Sequence, residues 1–259
     1  MICNTLQVGG SRNGGYRFDP RLVTIGWSLN PIPMPKMKFL LATATALTAL
    51  ASLPAAASVV SMQTRLSNAA AAPAGTMAQM GDYYRNLVEG LVTVAPTNGY
   101  CDAMPAAYLS LENSSVCAGS NNNIAVKFEV DFGISVAQAG TMSIQIGPDF
   151  GKGGAVFLDG TLLAATVDDL WWSGNYGAAN EIFSFQNIGV AAGNHTLTVY
   201  GLEACCDGIN SARYQLAGDA AWTTFSVRDS LQAVPEPLTA ALVLAGLLAM
   251  PHARRTRSC

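Results

Sequence analysis

The chain has 259 residues, of which 50% are hydrophobic and only 12% are charged. Soluble domains usually carry about 25% charged residues, so part of the chain is expected to be apolar targeting sequence. Between residues 58 and 233, six Lys or Arg stand against fifteen Asp or Glu, which leaves a charge of −9. This acidic stretch lacks the basic face that binds phosphates, which excludes a nucleic-acid-binding protein. The acidity suits calcium or neutral glycans, and it also keeps a domain soluble.

The N-terminal end contains two segments of different character. Residues 1–36 are polar and without periodicity, and we interpret them as an extension from a start placed too far upstream, with Met37 as the natural start. Residues 37–57 have a basic beginning, an apolar run and a small-residue end, Ala55-Ala56-Ala57. This pattern is typical of a secretory signal peptide that signal peptidase removes before Ser58.

The C-terminal end, residues 234–259, has three parts in a fixed order. They are Pro235-Glu236-Pro237, the apolar run 238–250, and the basic residues Arg254, Arg255 and Arg257. The prolines break any preceding element, and the apolar run is shorter than the ~20 residues of a normal spanning helix. A short apolar helix followed by arginines predicts a transient anchor with its basic end on the cytoplasmic side.

This order resembles the PEP-CTERM sorting signal of exported proteins in Gram-negative bacteria. The resemblance implies processing by an exosortase in the inner membrane, and then delivery to the cell surface or extracellular matrix, often beside exopolysaccharide. An ordinary tail anchor and a buried terminal helix are the alternatives, although a Pro-Glu-Pro sequence has no role in either.

The segment between these ends divides into a mixed region, residues 58–120, and a strand-rich core, residues 121–230. Helical spacing predicts a short helix over 82–91, although 91–94 could equally begin a strand. Alternating apolar residues predict strands over 124–132, 134–136, 142–146, 155–158, 161–165, 181–186, 188–190, 195–202 and 220–227. Short strands separated by Gly, Asn and Asp turns predict an all-β fold, an antiparallel β-sandwich or jelly roll flanked by the two terminal helices.

Four of the six cysteines lie between the two terminal segments, namely Cys101, Cys117, Cys205 and Cys206. An even number in an exported domain predicts disulfides, and three connectivities are open. In one connectivity, Cys205 pairs with Cys206 and Cys101 pairs with Cys117. In the other two, Cys101 and Cys117 each pair with one of the adjacent residues Cys205 and Cys206. A bond between adjacent cysteines is strained, but a Cys-Cys-Asp-Gly turn could carry the strain.

Two segments resemble PA14-like β-sandwiches. GTMSIQIGPDFGKGGAVFLDGTLL (140–163) is similar to their central hairpin, and AAGNHTLTVYGLEACCDG (191–208) to their late strand. The Cys-Cys-Asp-Gly ending also resembles the exported CCxG-motif group, which often carries the PEP-CTERM tail. Some PA14-like domains bind sugars through calcium held by two adjacent aspartates. The resemblance therefore implies a calcium set drawn from Asp149, in the matching loop, and the adjacent pair Asp168 and Asp169.

The same acids stand beside two tryptophans, so Asp168, Asp169, Trp171 and Trp172 are the candidate ligand-binding residues. Carboxylates suit calcium or hydroxyl groups, and aromatic faces stack on sugar CH groups. We expect no catalytic residues, because no nucleophile motif or phosphate loop is present. The sequence thus predicts a non-enzymatic exported protein, structural or weakly glycan-binding. A polysaccharide-active enzyme would need a cleft with two facing carboxylates, and a purely structural component would bury both tryptophans.

Overall fold

The computed structural model describes residues 57–119 and 122–231. The predicted extension, nearly all of the signal peptide, the apolar C-terminal run and the sorting residues Pro235, Glu236, Pro237, Arg254 and Arg255 lie outside the described residues. In the part of the chain that the structure describes, no helix has the length and apolar character needed to cross a membrane.

Twelve strands and two helices follow one another in the described residues. The strands are β1 (Val59–Leu66), β2 (Asp102–Ala103), β3 (Asn122–Ile134), β4 (Gly140–Gly147), β5 (Asp149–Phe150), β6 (Gly154–Leu158), β7 (Thr161–Thr166), β8 (Leu170–Trp171), β9 (Phe183–Val190), β10 (Gly193–Cys205), β11 (Ser211–Leu216) and β12 (Thr223–Thr224). The helices are α1 (Met77–Val92) and α2 (Asn113–Val116).

The strands form two main antiparallel sheets and one small one. A six-stranded sheet has the order β2-β1-β3-β10-β6-β7, and a four-stranded sheet has the order β12-β11-β4-β9. Strands β5 and β8 pair separately. One apolar core joins the inner faces of the two main sheets, with Phe128 and Phe132 from the first and Ile144 and Tyr214 from the second. The predicted all-β antiparallel sandwich is therefore confirmed.

Helix α1 covers the outer face of the six-stranded sheet. A capping box begins it, because the Thr76 side chain accepts from the Gln79 N–H and the Gln79 side chain accepts from the Thr76 N–H. Tyr84 and Val88 then pack against a second apolar cluster on that sheet, which includes Tyr200. The predicted helix is confirmed and is longer than expected, whereas the alternative of a strand over residues 91–94 is wrong.

The predicted strands are confirmed where a partner strand continues the pairing. The hairpin between β6 and β7 turns at Asp159 and Gly160, which have φ values of 51° and 74°, as a tight two-residue turn requires. Two predictions need correction. Ile134 ends β3 and Val136 is 87% exposed in the following turn, and of residues 220–227 only Thr223 and Thr224 form a strand.

Candidate functional site

The small sheet of β5 and β8 directs two predicted residues toward the surface. It pairs Asp149 with Trp171 and Phe150 with Leu170. Phe150 and Leu170 are buried in the core, and neighbouring side chains on a strand point to opposite faces. Trp171 is consequently 68% exposed, and its backbone N–H donates to Glu181 Oε2 at 2.8 Å.

Glu203 is a charged residue near the end of β10, and it is only 5% exposed. Its Oε2 accepts the Gly151 N–H at 2.6 Å, and its Oε1 accepts the N–H groups of Ala204 at 2.6 Å and Cys205 at 2.9 Å. Burial raises the pKa of Glu203, and the three hydrogen bonds oppose that rise. The carboxyl group is therefore fixed in position by the backbone around it.

Asp149 is held beside Glu203 in a similar way. Its backbone N–H donates to Asn210 Oδ1 at 3.0 Å, and its Oδ2 accepts the Gly208 N–H at 2.7 Å. Glycine permits this close approach, since a Cβ on Gly208 would lie 2.9 Å from the Asp149 carboxyl carbon and would displace that carboxyl group. Burial, reinforced by the negative charge of Glu203, raises the pKa of Asp149 to about 7.

These residues line an open pocket of about 270 Å³, which we call the acidic pocket. Its lining consists of Asp149, Gly151, Asp169, Trp171, Glu203, Ala204, Cys205 and Cys206. Carboxyl groups, one exposed aromatic face and two thiols therefore converge in one concave place. A few fixed polar groups beside an aromatic surface are the usual composition of a small-molecule site.

The predicted ligand-binding residues divide between this pocket and other places. Asp169 and Trp171 line it. Asp168 is taken up in a turn, since its Oδ2 accepts from Thr166 Oγ1 at 2.6 Å. Trp172 is 4% exposed and packs on Tyr176, with 4.6 Å between ring centroids. Trp171 at the end of β8 is therefore exposed and the next residue, Trp172, is buried, a difference that the sequence alone left open.

The calcium set implied by the PA14 resemblance is not assembled. Across residues 57–119 and 122–231, no three His, Cys, Asp or Glu side chains are arranged to hold a metal ion. Asp168 lies in its turn outside the pocket lining, whereas Asp149 and Asp169 line the pocket. Asp149, Asp168 and Asp169 are therefore not grouped as one set of ligands in the described residues.

The predicted connectivity that pairs Cys101 with Cys117 and Cys205 with Cys206 is present in the structure for one of its two bonds. Cys101 and Cys117 form a disulfide, which excludes both arrangements that tie them to the adjacent pair. Cys205 and Cys206 are free and exposed in this structure, so of that connectivity only the Cys101–Cys117 bond is formed. Closing a bond between Cys205 and Cys206 would require the connecting peptide to leave its relaxed geometry.

Glu203 and Gly208 were missed as site residues in the sequence. Glu203 had one detectable signal, because it is the single charged residue in the run Leu197 to Cys206, where apolar side chains otherwise predominate. A charge in such a run is either paired by hydrogen bonds or placed at a functional site. Here the backbone N–H groups supply the hydrogen bonds and the pocket supplies the opening.

No protein-family model matches the sequence, and no curated protein matches it either. Several solved structures are similar in backbone arrangement. The PA14 domain of the MpAFP antifreeze protein is 9% identical, with a TM-score of 0.42, over 69% of this chain and 91% of that chain. The PA14 sugar-binding domain from an RTX adhesin is 9% identical, with a TM-score of 0.42, over 68% and 98%. The Epithelial Adhesin 6 A domain from Candida glabrata, in complex with Galb1-3GlcNAc, is 12% identical, with a TM-score of 0.40, over 71% and 89%.

Because the pKa of Asp149 is raised, Asp149→Asn should increase the free energy of unfolding by an amount that depends on pH. The folded state keeps this proton to about pH 7, whereas an unfolded aspartate loses it near pH 3.9, so the free energy of unfolding falls as pH rises between these values. Asparagine cannot ionise, and its side-chain oxygen can still accept the Gly208 N–H. We expect the variant to be more stable by about 1 kcal/mol at pH 8 and by less at pH 4, because the group is partly solvated.

Urea unfolding of both proteins at pH 4 and pH 8 measures this difference. Asp168→Asn, which changes an exposed carboxyl outside the pocket lining, is the matched control. A stability difference for Asp149→Asn that is the same at both pH values would contradict the assignment of the raised pKa to Asp149.

Proposed function

We propose that the chain is an exported, non-enzymatic β-sandwich that binds a neutral glycan weakly in the acidic pocket. The observation that carries the proposal is the exposed face of Trp171 beside fixed carboxyl groups. A sugar presents CH groups that stack on an aromatic face and hydroxyl groups that donate to carboxylates. Trp171 would be the platform, with Asp169 and Asp149 as hydrogen-bond acceptors.

The charge of the pocket favours neutral over acidic sugars. Asp149, Asp169 and Glu203 all contribute carboxyl groups to its lining, and a uronic acid or sulfate would bring another negative charge among them. The hydroxyl groups of a neutral sugar can instead donate hydrogen bonds to the carboxyl oxygens of Asp149 and Asp169. Among surface polymers, a neutral exopolysaccharide therefore fits best.

A purely structural role has less support than binding. That role predicts that both tryptophans are buried and that no concave site is present. Trp172 is buried, but Trp171 is exposed at the edge of a pocket. An exposed tryptophan beside fixed polar groups has no packing function, which supports a binding role.

A glycoside-cleaving enzyme is the second candidate, and one observation favours it. The negative charge of Glu203 helps to raise the pKa of Asp149 to about 7. Glycoside hydrolases use carboxyl pairs in which one partner keeps its proton. Against it, both oxygens of Glu203 already accept backbone N–H groups. Chromatography of oligosaccharides incubated with the protein decides between the two, since only an enzyme releases shorter products.

Export is part of the proposal and is supported by the terminal segments. Signal peptidase would remove the leader before Ser58, and an exosortase would process the tail at Pro235-Glu236-Pro237, after transient anchoring in the inner membrane. The final location would be the cell surface or extracellular matrix. Fractionation of producing cells, with mass spectrometry of both termini, tests this; a mature protein found in the cytoplasm with both ends intact would contradict it.

Trp171→Ala is the direct test of the binding site. Loss of the stacking face should weaken binding by about tenfold, which corresponds to about 1.4 kcal/mol. A glycan array of neutral and acidic oligosaccharides identifies a ligand, and isothermal titration then compares the variant with the parent protein. Trp222→Ala is the matched control, because Trp222 packs on Arg213 and does not line the pocket.

Two outcomes of the same titration would contradict glycan binding in the acidic pocket. Equal affinity in the parent and Trp171→Ala would place the ligand elsewhere, and no binding by the parent to any oligosaccharide would leave the structural role. Because the three aspartates do not form a calcium set, EDTA should leave the affinity unchanged. A loss of binding in EDTA would show that a metal ion assembles with the ligand.

A further inference from the structure

Two adjacent free thiols lie at the rim of the acidic pocket. Cys205 ends β10, Cys206 follows it, and both are exposed and line the pocket. Because the two residues are adjacent in the chain, rotation of their side chains and of the peptide between them can bring the sulfur atoms together. Cys101 and Cys117 are bonded to each other. Among the cysteines of residues 57–119 and 122–231, each thiol therefore has one available partner, its neighbour.

The backbone at this place is able to change. Cys206 has a φ of 72°, a left-handed conformation that costs free energy in a residue other than glycine. Cys205 makes the last pairing of β10 with β3, at Asn122, and residues 206–209 continue without regular structure. The chain therefore leaves the strand ladder at the peptide that connects the two cysteines, and a twist of this peptide is what a bond between them requires.

We propose that Cys205 and Cys206 form a reversible disulfide with each other and that closing it reshapes the acidic pocket. The oxidant is a low-molecular-mass disulfide of the glutathione class. One cysteine thiolate attacks it, forming a mixed disulfide and releasing one glutathione thiol. The second cysteine then attacks that mixed disulfide, the intramolecular bond forms, and a second glutathione thiol leaves with the remaining proton. The protein loses two hydrogens, and the glutathione disulfide gains them.

The pocket carboxyls are coupled to this peptide through hydrogen bonds. The Cys205 N–H donates to Glu203 Oε1 at 2.9 Å. Two residues beyond Cys206, the Gly208 N–H donates to Asp149 Oδ2 at 2.7 Å. Rotating the peptide between the cysteines therefore moves donors that hold both carboxyl groups. The oxidised form is a low-affinity state of the pocket, and this consequence rests on the proposed glycan function.

Peptide mapping of the full chain tests the bond without any ligand. Trypsin cuts after Lys152 and Arg213, and the peptide between them contains Cys205 and Cys206 but no other cysteine. In the reduced protein this peptide should take up two iodoacetamide groups. After treatment with oxidised glutathione it should take up none and be lighter by two hydrogens, and dithiothreitol should restore the first result. Two alkylated thiols, a persistent glutathione adduct or a cross-link to another peptide would each overturn the proposal.

Trp171 reports on the pocket in the same samples. Closing the bond should shift its fluorescence emission, measured as the difference between the parent protein and Trp171→Phe. The double variant Cys205→Ser, Cys206→Ser has neither thiol, so oxidised glutathione should cause no such shift in it. A closed disulfide with unchanged Trp171 emission in the parent would overturn the coupling to the pocket.

The last comparison is between the affinities of the oxidised and reduced protein for an oligosaccharide. With the best oligosaccharide from the array, the oxidised protein should bind about tenfold more weakly than the reduced protein, as expected for the loss of one hydrogen bond to a charged group. Equal affinity of the two forms would overturn the switch. If neither form binds any oligosaccharide, the proposed glycan function fails, while the peptide masses still decide whether the disulfide forms.

Discussion

Trp172→Ala is expected to lower the free energy of unfolding by about 3 to 5 kcal/mol, the cost of removing a large buried aromatic side chain. Trp172 is 4% exposed, and its ring packs against Gly147, where an added Cβ would be 2.1 Å from the indole. Tyr176 covers the ring from another side. Neither neighbour can fill the space of an indole, so a cavity should remain.

The neighbouring residue provides a matched control. Trp171→Ala removes the same side chain from an exposed position, so it should change stability by no more than about 0.5 kcal/mol. Urea unfolding followed by circular dichroism measures both variants. Trp172→Phe should fall between them, since it keeps an aromatic ring and removes an indole N–H that has no acceptor in the described part of the chain. Equal losses for Trp171→Ala and Trp172→Ala would contradict the burial assigned to the two side chains.

The sequence predicted strands best where one face of a strand meets the core and the other meets solvent. In β3, Val126, Phe128 and Val130 are buried in the core, whereas Lys127 and Glu129 form an ion pair on the opposite face. That arrangement produces alternation that can be read directly. The local sequence pattern is sufficient to predict this strand, because successive side chains alternate between the core and solvent.

The pattern failed where long-range pairing or side-chain packing decides the structure. Strand β11 was missed although Ala212 and Tyr214 are buried, because its partner β4 lies far back in the chain. Conversely, Phe225 is buried just beyond the short strand β12, in a stretch that was expected to be a longer strand. Apolar content there reflects packing of a loop against the core rather than a ladder.

The site shows the same division. The sequence identified Asp169 and Trp171, because an acidic pair beside two tryptophans is conspicuous in a chain with few charges, and the PA14 resemblance implied Asp149. It could not join Asp149 to Glu203, since that contact depends on how β5 approaches β10. The bond from the Gly151 N–H to Glu203 spans 52 residues. Nor could it separate Trp171 from Trp172, because only the strand pairing decides which one faces outward.

The arrangement also explains why buried carboxyl groups are tolerated beside the core. The N–H groups of Gly151, Ala204 and Cys205 compensate Glu203 for lost water, and Gly208 does so for Asp149. Gly151 and Gly208 lie in the turns that follow β5 and β10, and Ala204 and Cys205 are the last two residues of β10, so these donors point to carboxyl groups at the ends of the two strands. The pocket is therefore built from free backbone groups at the ends of β5 and β10, and its acids keep an open side toward solvent.

Removing the Cys101–Cys117 disulfide is expected to lower the free energy of unfolding by about 3 kcal/mol. The bond joins residues 16 positions apart, and closing a loop of this length restricts the unfolded chain by about that amount. The loop also holds a buried polar cluster, since Thr64 Oγ1 accepts the Cys101 N–H at 3.0 Å and donates to Asn113 Oδ1 at 2.5 Å. Without the bond, the loop can leave this cluster and expose its polar groups.

The double variant Cys101→Ser, Cys117→Ser tests this expectation in urea unfolding. Dithiothreitol should destabilise the parent protein by a similar amount and leave the double variant unchanged. The matched control, Cys205→Ser with Cys206→Ser, keeps the Cys101–Cys117 bond and should retain the sensitivity of the parent to reductant. If the reductant has no effect on either protein that retains the bond, the Cys101–Cys117 loop contributes nothing to stability, and the fold depends on its apolar core alone.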